Sequence, residues 1–261
     1  LADLYVLQGQ LEEAFPLYRK LIALYGSTSQ VHFNLGVLAG RLGWFKEAIA
    51  EFSRAIELDP YSVETRMGIG IVYELMQRFD AAAAHYEAAL EFDSENLQVY
   101  RYAARAYIGG DHIGNAINVY ERLLEVEPND YEAILNLVRL WVGREQFDQA
   151  EAFLKTKLES MQDAPQLYIA LGTVYRESGN TEEALGAFER AASLNPNSVQ
   201  THFYLATQLD LAGHDEAAKM HLRRVIELDP THADALNYLG YLDIEAGVNL
   251  KQPKSSSSRR C

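Results

Sequence analysis

The sequence predicts an all-α solenoid of stacked helical hairpins, and three observations carry that prediction. Residue types recur on a beat of 34 residues, with units starting at Ser29, Val63, Leu97, Tyr131, Pro165, Val199 and Ala233 and no insertion in the register. Position twenty of each unit that reaches it is alanine (Ala48, Ala82, Ala116, Ala150, Ala184, Ala218), and position eight is small or short (Gly36, Gly70, Ala104, Val138, Gly172, Ala206, Gly240). Within one unit the apolar residues fall at helical spacing in two runs. Phe33, Leu35, Val37 and Leu38 form the first, Ala48, Ile49, Phe52, Ala55 and Ile56 the second, and a turn around Gly43 separates them.

Each element of the unit has a physical reason. Small residues at eight and twenty let the two helix backbones approach closely. The large residue at twenty-four (Phe52, Tyr86, Tyr120, Leu154, Phe188, Leu222) fills the space they leave. Position thirty-two reads Pro60, Ser94, Pro128, Gln162, Pro196 and Pro230; proline lacks an N–H and clashes with the preceding turn, so it is expected to end the second helix. Capping-box spacing in Asn129-x-x-Glu132, Asp163-x-x-Gln166 and Asn197-x-x-Gln200 is expected to start the next first helix. On this register residues 1–28 are a partial unit, 29–232 are six complete units and 233–250 are the first helix of another. Residues 251–261, with four serines and no acid, read as a disordered basic tail. Leu1 falls at position seven, inside a helix, so the chain reads as a piece of a longer protein whose signal or anchor would lie upstream. The helix at 233–250 lacks its partner, which leads us to expect further repeats downstream.

Composition narrows the function classes. The 261 residues carry a net charge of −14, and residues 1–250 hold 37 acids against 19 bases. Such a body repels phosphate backbones, which argues against nucleic acid as a partner. The single cysteine, Cys261, is the last residue, so no intrachain disulfide and no prenylation box exist, and cysteine usage leaves the compartment open. No apolar run approaches the ~20 residues needed to span a bilayer, and no signal peptide is present in these residues.

Signatures of catalysis are absent from the sequence. Gly68-Ile69-Gly70 lies inside a first helix without a preceding strand or a third glycine, so it reads as helix packing and not as a nucleotide fingerprint. The seven histidines form no His-x-x-x-His pair; His85 and His221 share position twenty-three, and His112 and His214 fall in turns, so they are expected to lie far apart. Glu12-Glu13 and Glu182-Glu183 begin second helices, where carboxylates favour the positive end of the dipole. The expectation is no enzyme, no metal and no cofactor.

The pattern of small, aromatic, alanine and proline positions on a 34-residue unit resembles the tetratricopeptide repeat (TPR) family over about residues 1–248. The resemblance implies a right-handed superhelix whose first helices line a concave face, with positions two, five, six, nine, twelve and thirteen pointing outward. Those positions hold an apolar set, namely Phe33, Met67, Ile71, Leu135, Ile169, Phe203, Tyr204, Tyr238 and Tyr241, which the resemblance implies are not needed for the repeat-to-repeat core. They also hold a basic island of Arg101, Arg105, Asn136 and Arg139, able to grip a carboxylate. Arg101, Arg105 and Asn136 resemble half of the family's carboxylate clamp, while Gln166 and Ala170 stand where its other half would be. Position six holds asparagine only at Asn34 and Asn136, so an asparagine ladder is not present. The competing role for the arginines is ion pairing with Glu132 or with acids across the groove.

The resemblance implies a noncatalytic scaffold or adaptor that binds a protein or peptide, with an acidic side chain or terminal carboxylate as the group read by the arginines. Two alternatives stand beside it. One is a regulatory segment of a larger enzyme such as a glycosyltransferase or kinase, and the other is end-to-end self-assembly into a homo-oligomer. The segment Asp234-Ala235-Leu236-Asn237-Tyr238-Leu239-Gly240-Tyr241, followed by Gly247-Val248-Asn249-Leu250, is similar to one common in bacterial TPR proteins, including envelope lipoproteins. That resemblance implies either the cytoplasm or the periplasm and envelope of a bacterium.

Overall fold

A computed structural model describes residues 2–249, and the tail expected at residues 251–261 lies outside them. Fifteen α-helices and no strand occur among the described residues. They are α1 (Ala2–Leu7), α2 (Leu11–Tyr25), α3 (Ser29–Arg41), α4 (Phe45–Leu58), α5 (Val63–Leu75), α6 (Phe79–Leu90), α7 (Leu97–Gly109) and α8 (Ile113–Val126). They continue as α9 (Tyr131–Gly143), α10 (Phe147–Ser160), α11 (Pro165–Glu177), α12 (Thr181–Leu194), α13 (Val199–Leu211), α14 (Asp215–Leu228) and α15 (Ala233–Asn249). From α3 onward, each odd-numbered helix begins on the first position of a 34-residue unit.

The chain divides into two compact units, Leu1–Leu137 and Val138–Cys261, with the division inside α9. In the first, successive helices from α1 through to α8 pack pairwise, the last pair being α7 on α8, and α3 also packs on α5; in the second, successive helices from α10 through to α15 pack pairwise, the last pair being α14 on α15. Nearest-neighbour packing of this kind is what repeated hairpins produce, since each buries its apolar face only against the hairpins beside it.

The close approach expected at positions eight and twenty is visible atom by atom. All six alanines at position twenty are fully buried. A Cβ added to Gly36 would lie 2.6 Å from the Phe52 ring, one on Gly70 would lie 2.5 Å from Tyr86, and one on Gly172 would lie 2.7 Å from Phe188. Glycine is therefore required at these three sites by the ring across the hairpin. Where position eight is Val138 or Ala206, the facing residue shrinks to Leu154 or Leu222, both fully buried, so the two volumes compensate.

Backbone geometry fixes the turns. Position fifteen takes a left-handed conformation in every hairpin: Gly9, Gly43, Gly179 and Gly213 have φ between 76° and 81°, and Gln77, Asp111 and Glu145 have φ 56°, 60° and 59°. A side chain in that region costs ~1–2 kcal/mol, so three turns carry strain that the four glycine turns avoid.

Two details of helix ends differ from expectation. The capping residues sit one position later than the box spacing suggests: Thr28, Ser62, Asn96, Asp130 and Ser198 accept from the backbone N–H of Val31, Thr65, Val99, Ala133 and Thr201. The N-cap position of α11 itself is held by Ala164, which has no side-chain acceptor. Asp130 takes the role given to Asn129 because the first helical residue is fixed by the register, leaving Asn129 too far back to reach. Proline also proves unnecessary as a terminator: α10, with Gln162 at position thirty-two, ends at Ser160, the same place in the unit as the proline-terminated α4, α8, α12 and α14.

Candidate partner-binding surface

The basic residues singled out by the sequence sit on α7 and α9, and the structure shows what they hold. Arg101 pairs through Nη2 with Asp130 and through Nε with Glu132 at 2.9 Å. Asp130 uses its other oxygen, Oδ1, to accept from Ala133 N at 2.8 Å and so cap α9. Arg105, one turn further along α7, donates through Nε and Nη2 to both oxygens of Glu74 on α5, at 3.0 and 2.5 Å. The Tyr86 hydroxyl donates to the same carboxylate at 2.8 Å. Tyr102 stacks on Tyr86 with ring centroids 5.4 Å apart, and the Arg105 guanidinium lies 4.5 Å above the Tyr102 ring. The hydrogen bond to Glu74 raises the affinity of Arg105 for its proton, and burial, then Glu74, pushes the Tyr86 phenol well above its ordinary range.

Arg101 and Arg105 thus serve as clasps between successive first helices, with Nη1 of each left outside these contacts. On α9, Asn136 is half-buried and Arg139 exposed.

The apolar candidates are half-buried at Phe33, Met67, Ile71, Leu135, Ile169, Phe203, Tyr204 and Tyr238, and exposed at Tyr241. Several also pack within the chain, contrary to the expectation that the core could dispense with them. Phe33 lies against Phe52 with centroids 5.7 Å apart, and Tyr204 against Phe188 at 5.7 Å. Phe203 meets His232 at 5.1 Å, Tyr238 meets Tyr241 at 6.5 Å, and the Tyr238 hydroxyl donates to Asp210. The reason is geometric: residue six of one unit falls beside the large residue twenty-four of the unit before it, as Tyr204 does on Phe188 and as Gly68, where an added Cβ would lie 2.7 Å from the ring, does on Phe52. These side chains therefore join repeats on one edge and offer surface on the other.

Sequence reasoning overlooked two features. Positions four and twenty-three of a unit face each other, so His32 meets Glu51 at 2.7 Å, both buried, and His202 meets His221 with Nδ1 atoms 3.0 Å apart. The histidines are not all distant from one another, because pairs at four and twenty-three lie on different helices of one hairpin. Burial, then the proximity of His202, lowers the proton affinity of His221; burial, then Arg66, lowers that of His85. The second feature is a recess of about 110 Å³ lined by Val6, Tyr18, Phe33, Asn34, Val37, Leu38 and Arg41. Arg41 occupies outward position thirteen, and its lack of an acidic neighbour in sequence is the signal that could have found it.

Among the described residues no group of three or more metal-ligating side chains converges, and no helix is long and apolar enough to cross a membrane.

Comparison with known proteins agrees with this geometry. Family models described as tetratricopeptide repeat match residues 1–28, 29–62, 63–96, 111–172 and 165–198. Tetratricopeptide repeat protein 7B of Mus musculus is 31% identical over 110 residues, and its human counterpart 30%; the match takes in 36% of this chain and 13% of theirs, so the chain spans about an eighth of these curated relatives. Among solved structures, the C-terminal part of a TPR repeat-containing protein from Cytophaga hutchinsonii is similar with a TM-score of 0.69 at 16% identity, covering 90% of this chain and 97% of that one. YrrB, described as a TPR protein with an unusual peptide-binding site, is similar with a TM-score of 0.52 at 21% identity, covering 72% and 96%. With helix pairs on a 34-residue register and repeat models matched along most of its length, the chain belongs to the tetratricopeptide repeat family.

Proposed function

We propose that this protein is a noncatalytic scaffold that binds a protein or peptide along the face lined by its first helices. TPR proteins are in general protein-interaction scaffolds, so the class follows from the family; the face and the contacts are our reading. The observation that carries it is the row of Phe33, Met67 and Ile71 on the packed pair α3 and α5, apolar side chains that remain half-exposed at successive outward positions. Leu135, Ile169, Phe203, Tyr204, Tyr238 and Tyr241 repeat the pattern on later first helices. The peptide-binding site named for YrrB supports a peptide as occupant. In this reading Arg101 and Arg105 keep their intrachain acids and offer Nη1 to an acidic side chain or terminal carboxylate of the partner.

The test places a photo-crosslinking amino acid at Met67, or at Lys46 on the second helix α4, in the full chain and exposes it to extract of the source cells. Partner adducts from position 67 and not from 46 are the expected result. Adducts only from 46 would move binding to the second-helix side, and calorimetry with the recovered partner would then show no loss on Met67→Glu.

A further inference from the structure

Resting on the first-helix reading of function, we infer that the recess between α1 and α3, with Arg41 at its wall, takes an internal aliphatic side chain of a partner peptide while Arg41 holds a neighbouring acidic side chain of the same peptide. The recess is lined mainly by Val6, Tyr18, Phe33, Val37 and Leu38, and its volume of about 110 Å³ is below the ~150 Å³ of a cavity that admits benzene, so it fits one aliphatic group. Its polar wall is Asn34 and Arg41. The Asn34 Oδ1 atom already accepts from Gln30 Nε2 at 2.9 Å, so what the side chain adds to the recess is the donor capacity of its amide N–H group. Arg41 is exposed, and no carboxylate among the described residues lies within ion-pairing distance of it.

This contrast with Arg101 and Arg105 decides the assignment. In a chain with 37 acids and 23 bases, an arginine without an acidic neighbour is available to a charge from outside, whereas the two on α7 are already neutralised by Asp130, Glu132 and Glu74. Phe33, Val37 and Arg41 follow one another at i, i+4 and i+8 on α3, so aliphatic pocket and cation line up along a single helix face. The apolar row continues from Phe33 to Met67 and Ile71 on α5, so a peptide seated in the recess has surface ahead of it. That continuity favours an internal segment over a chain end.

The experiment pans a phage-displayed library of random dodecapeptides on the full chain and then measures synthetic, C-terminally amidated versions by fluorescence anisotropy. Enrichment of Leu, Ile, Val or Met within two residues of Asp or Glu is the expected result. Changing that acid to its amide, or Arg41→Gln in the protein, is expected to weaken binding by about three- to fivefold, the scale of an exposed charge pair. The two changes together should cost no more than either alone, and Lys20→Gln on α2 should change nothing. Val37→Glu, at a position already 38% exposed and so tolerant of a polar group, is expected to abolish binding without moving the thermal melt. Peptides that bind yet ignore Arg41→Gln, or that show no aliphatic–acidic enrichment, would overturn this inference and leave the groove reading standing. Binding that requires a free C-terminus would overturn it in favour of a terminal carboxylate. A library from which nothing binds would overturn both readings.

Discussion

At the scale of single residues, volume compensation across each hairpin sets which substitutions the protein tolerates. Gly172→Ala puts a methyl group 2.7 Å from the Phe188 ring, and that ring is itself fully buried, so the backbone must shift. Overpacking of this kind is expected to cost about 1–3 kcal/mol. Gly186, on the facing helix α12, has no heavy atom within 4 Å of an added Cβ, so Gly186→Ala should instead stabilise by about 1 kcal/mol through helix propensity alone. Urea midpoints of the two variants moving in opposite directions would bear this out; equal shifts would not. The histidine pair makes a second prediction. Nε2 of His202 reaches the Pro196 carbonyl at 2.9 Å and is therefore protonated, leaving its Nδ1 as the acceptor for His221. Burial and His202 depress His221 below the ordinary 6.5. A depressed folded-state value means that the folded protein resists a proton the unfolded chain accepts. Stability is then fully present above about pH 6.5 and falls as pH drops below it. Thermal melts from pH 7.5 to 5.0 should show that loss, and His221→Gln should flatten it. The packing of position twenty-four on position eight was legible at the sequence level, but the histidine contact was not, because contact between positions four and twenty-three depends on how two helices of a hairpin are rotated, which a 34-residue beat does not specify.

At the scale of elements, the register was legible almost to the residue and the termini were not. First helices start where the repeat starts because an amphipathic run and a small-residue beat constrain the same turn from two sides. Capping was misplaced by one residue since asparagine and aspartate are adjacent at 129 and 130 and both are good caps; only the backbone turn chooses Asp130. Proline was credited with ending helices, yet α10 ends without it, which leaves the turn to the next first helix as the common cause. The turn inside each hairpin is the element most open to improvement. Glu145 holds φ 59° where Gly43, Gly179 and Gly213 hold the same conformation freely. Replacing it relieves strain of ~1–2 kcal/mol, offset by the greater freedom of glycine in the unfolded chain. A net gain of about 0.5–1 kcal/mol is expected for Glu145→Gly, and for Gln77→Gly as well. Asp111→Gly should gain less, since aspartate visits the left-handed region more readily. Chemical denaturation of the three variants would rank them; a loss on Glu145→Gly would show that the turn is held by contacts of the glutamate side chain and not by backbone geometry.

At the scale of the molecule, two of the arginines read from the sequence as candidate binding residues hold intrachain carboxylates, the competing role the sequence also allowed, for a reason that belongs to the whole chain. An acidic body supplies carboxylates to many of the arginines on it, so proximity of bases in sequence is a poor guide to which of them stays available. Arg101 and Arg105 are drawn into clasps between neighbouring first helices, whereas Arg41 stands at the wall of the recess. The same neighbour-to-neighbour logic governs stability. Within each compact unit the helices that pack are neighbours along the chain, with α3 on α5 besides, so damage should spread locally and not melt the chain as a whole. Ala150 tests this because it is fully buried on α10, and α10 packs on α11. A phenyl ring there has no space to enter, and Ala150→Phe is expected to cost about 1–3 kcal/mol in the turns it touches. Hydrogen exchange should then quicken in α10 and in the facing part of α11, while α3, α4 and α5 in the other compact unit keep the protection of the parent protein. Protection lost uniformly from α3 to α14 would mean that the repeats unfold as one cooperative body. Protection unchanged in α10 would mean that the position-twenty alanine is not where the backbones are forced together.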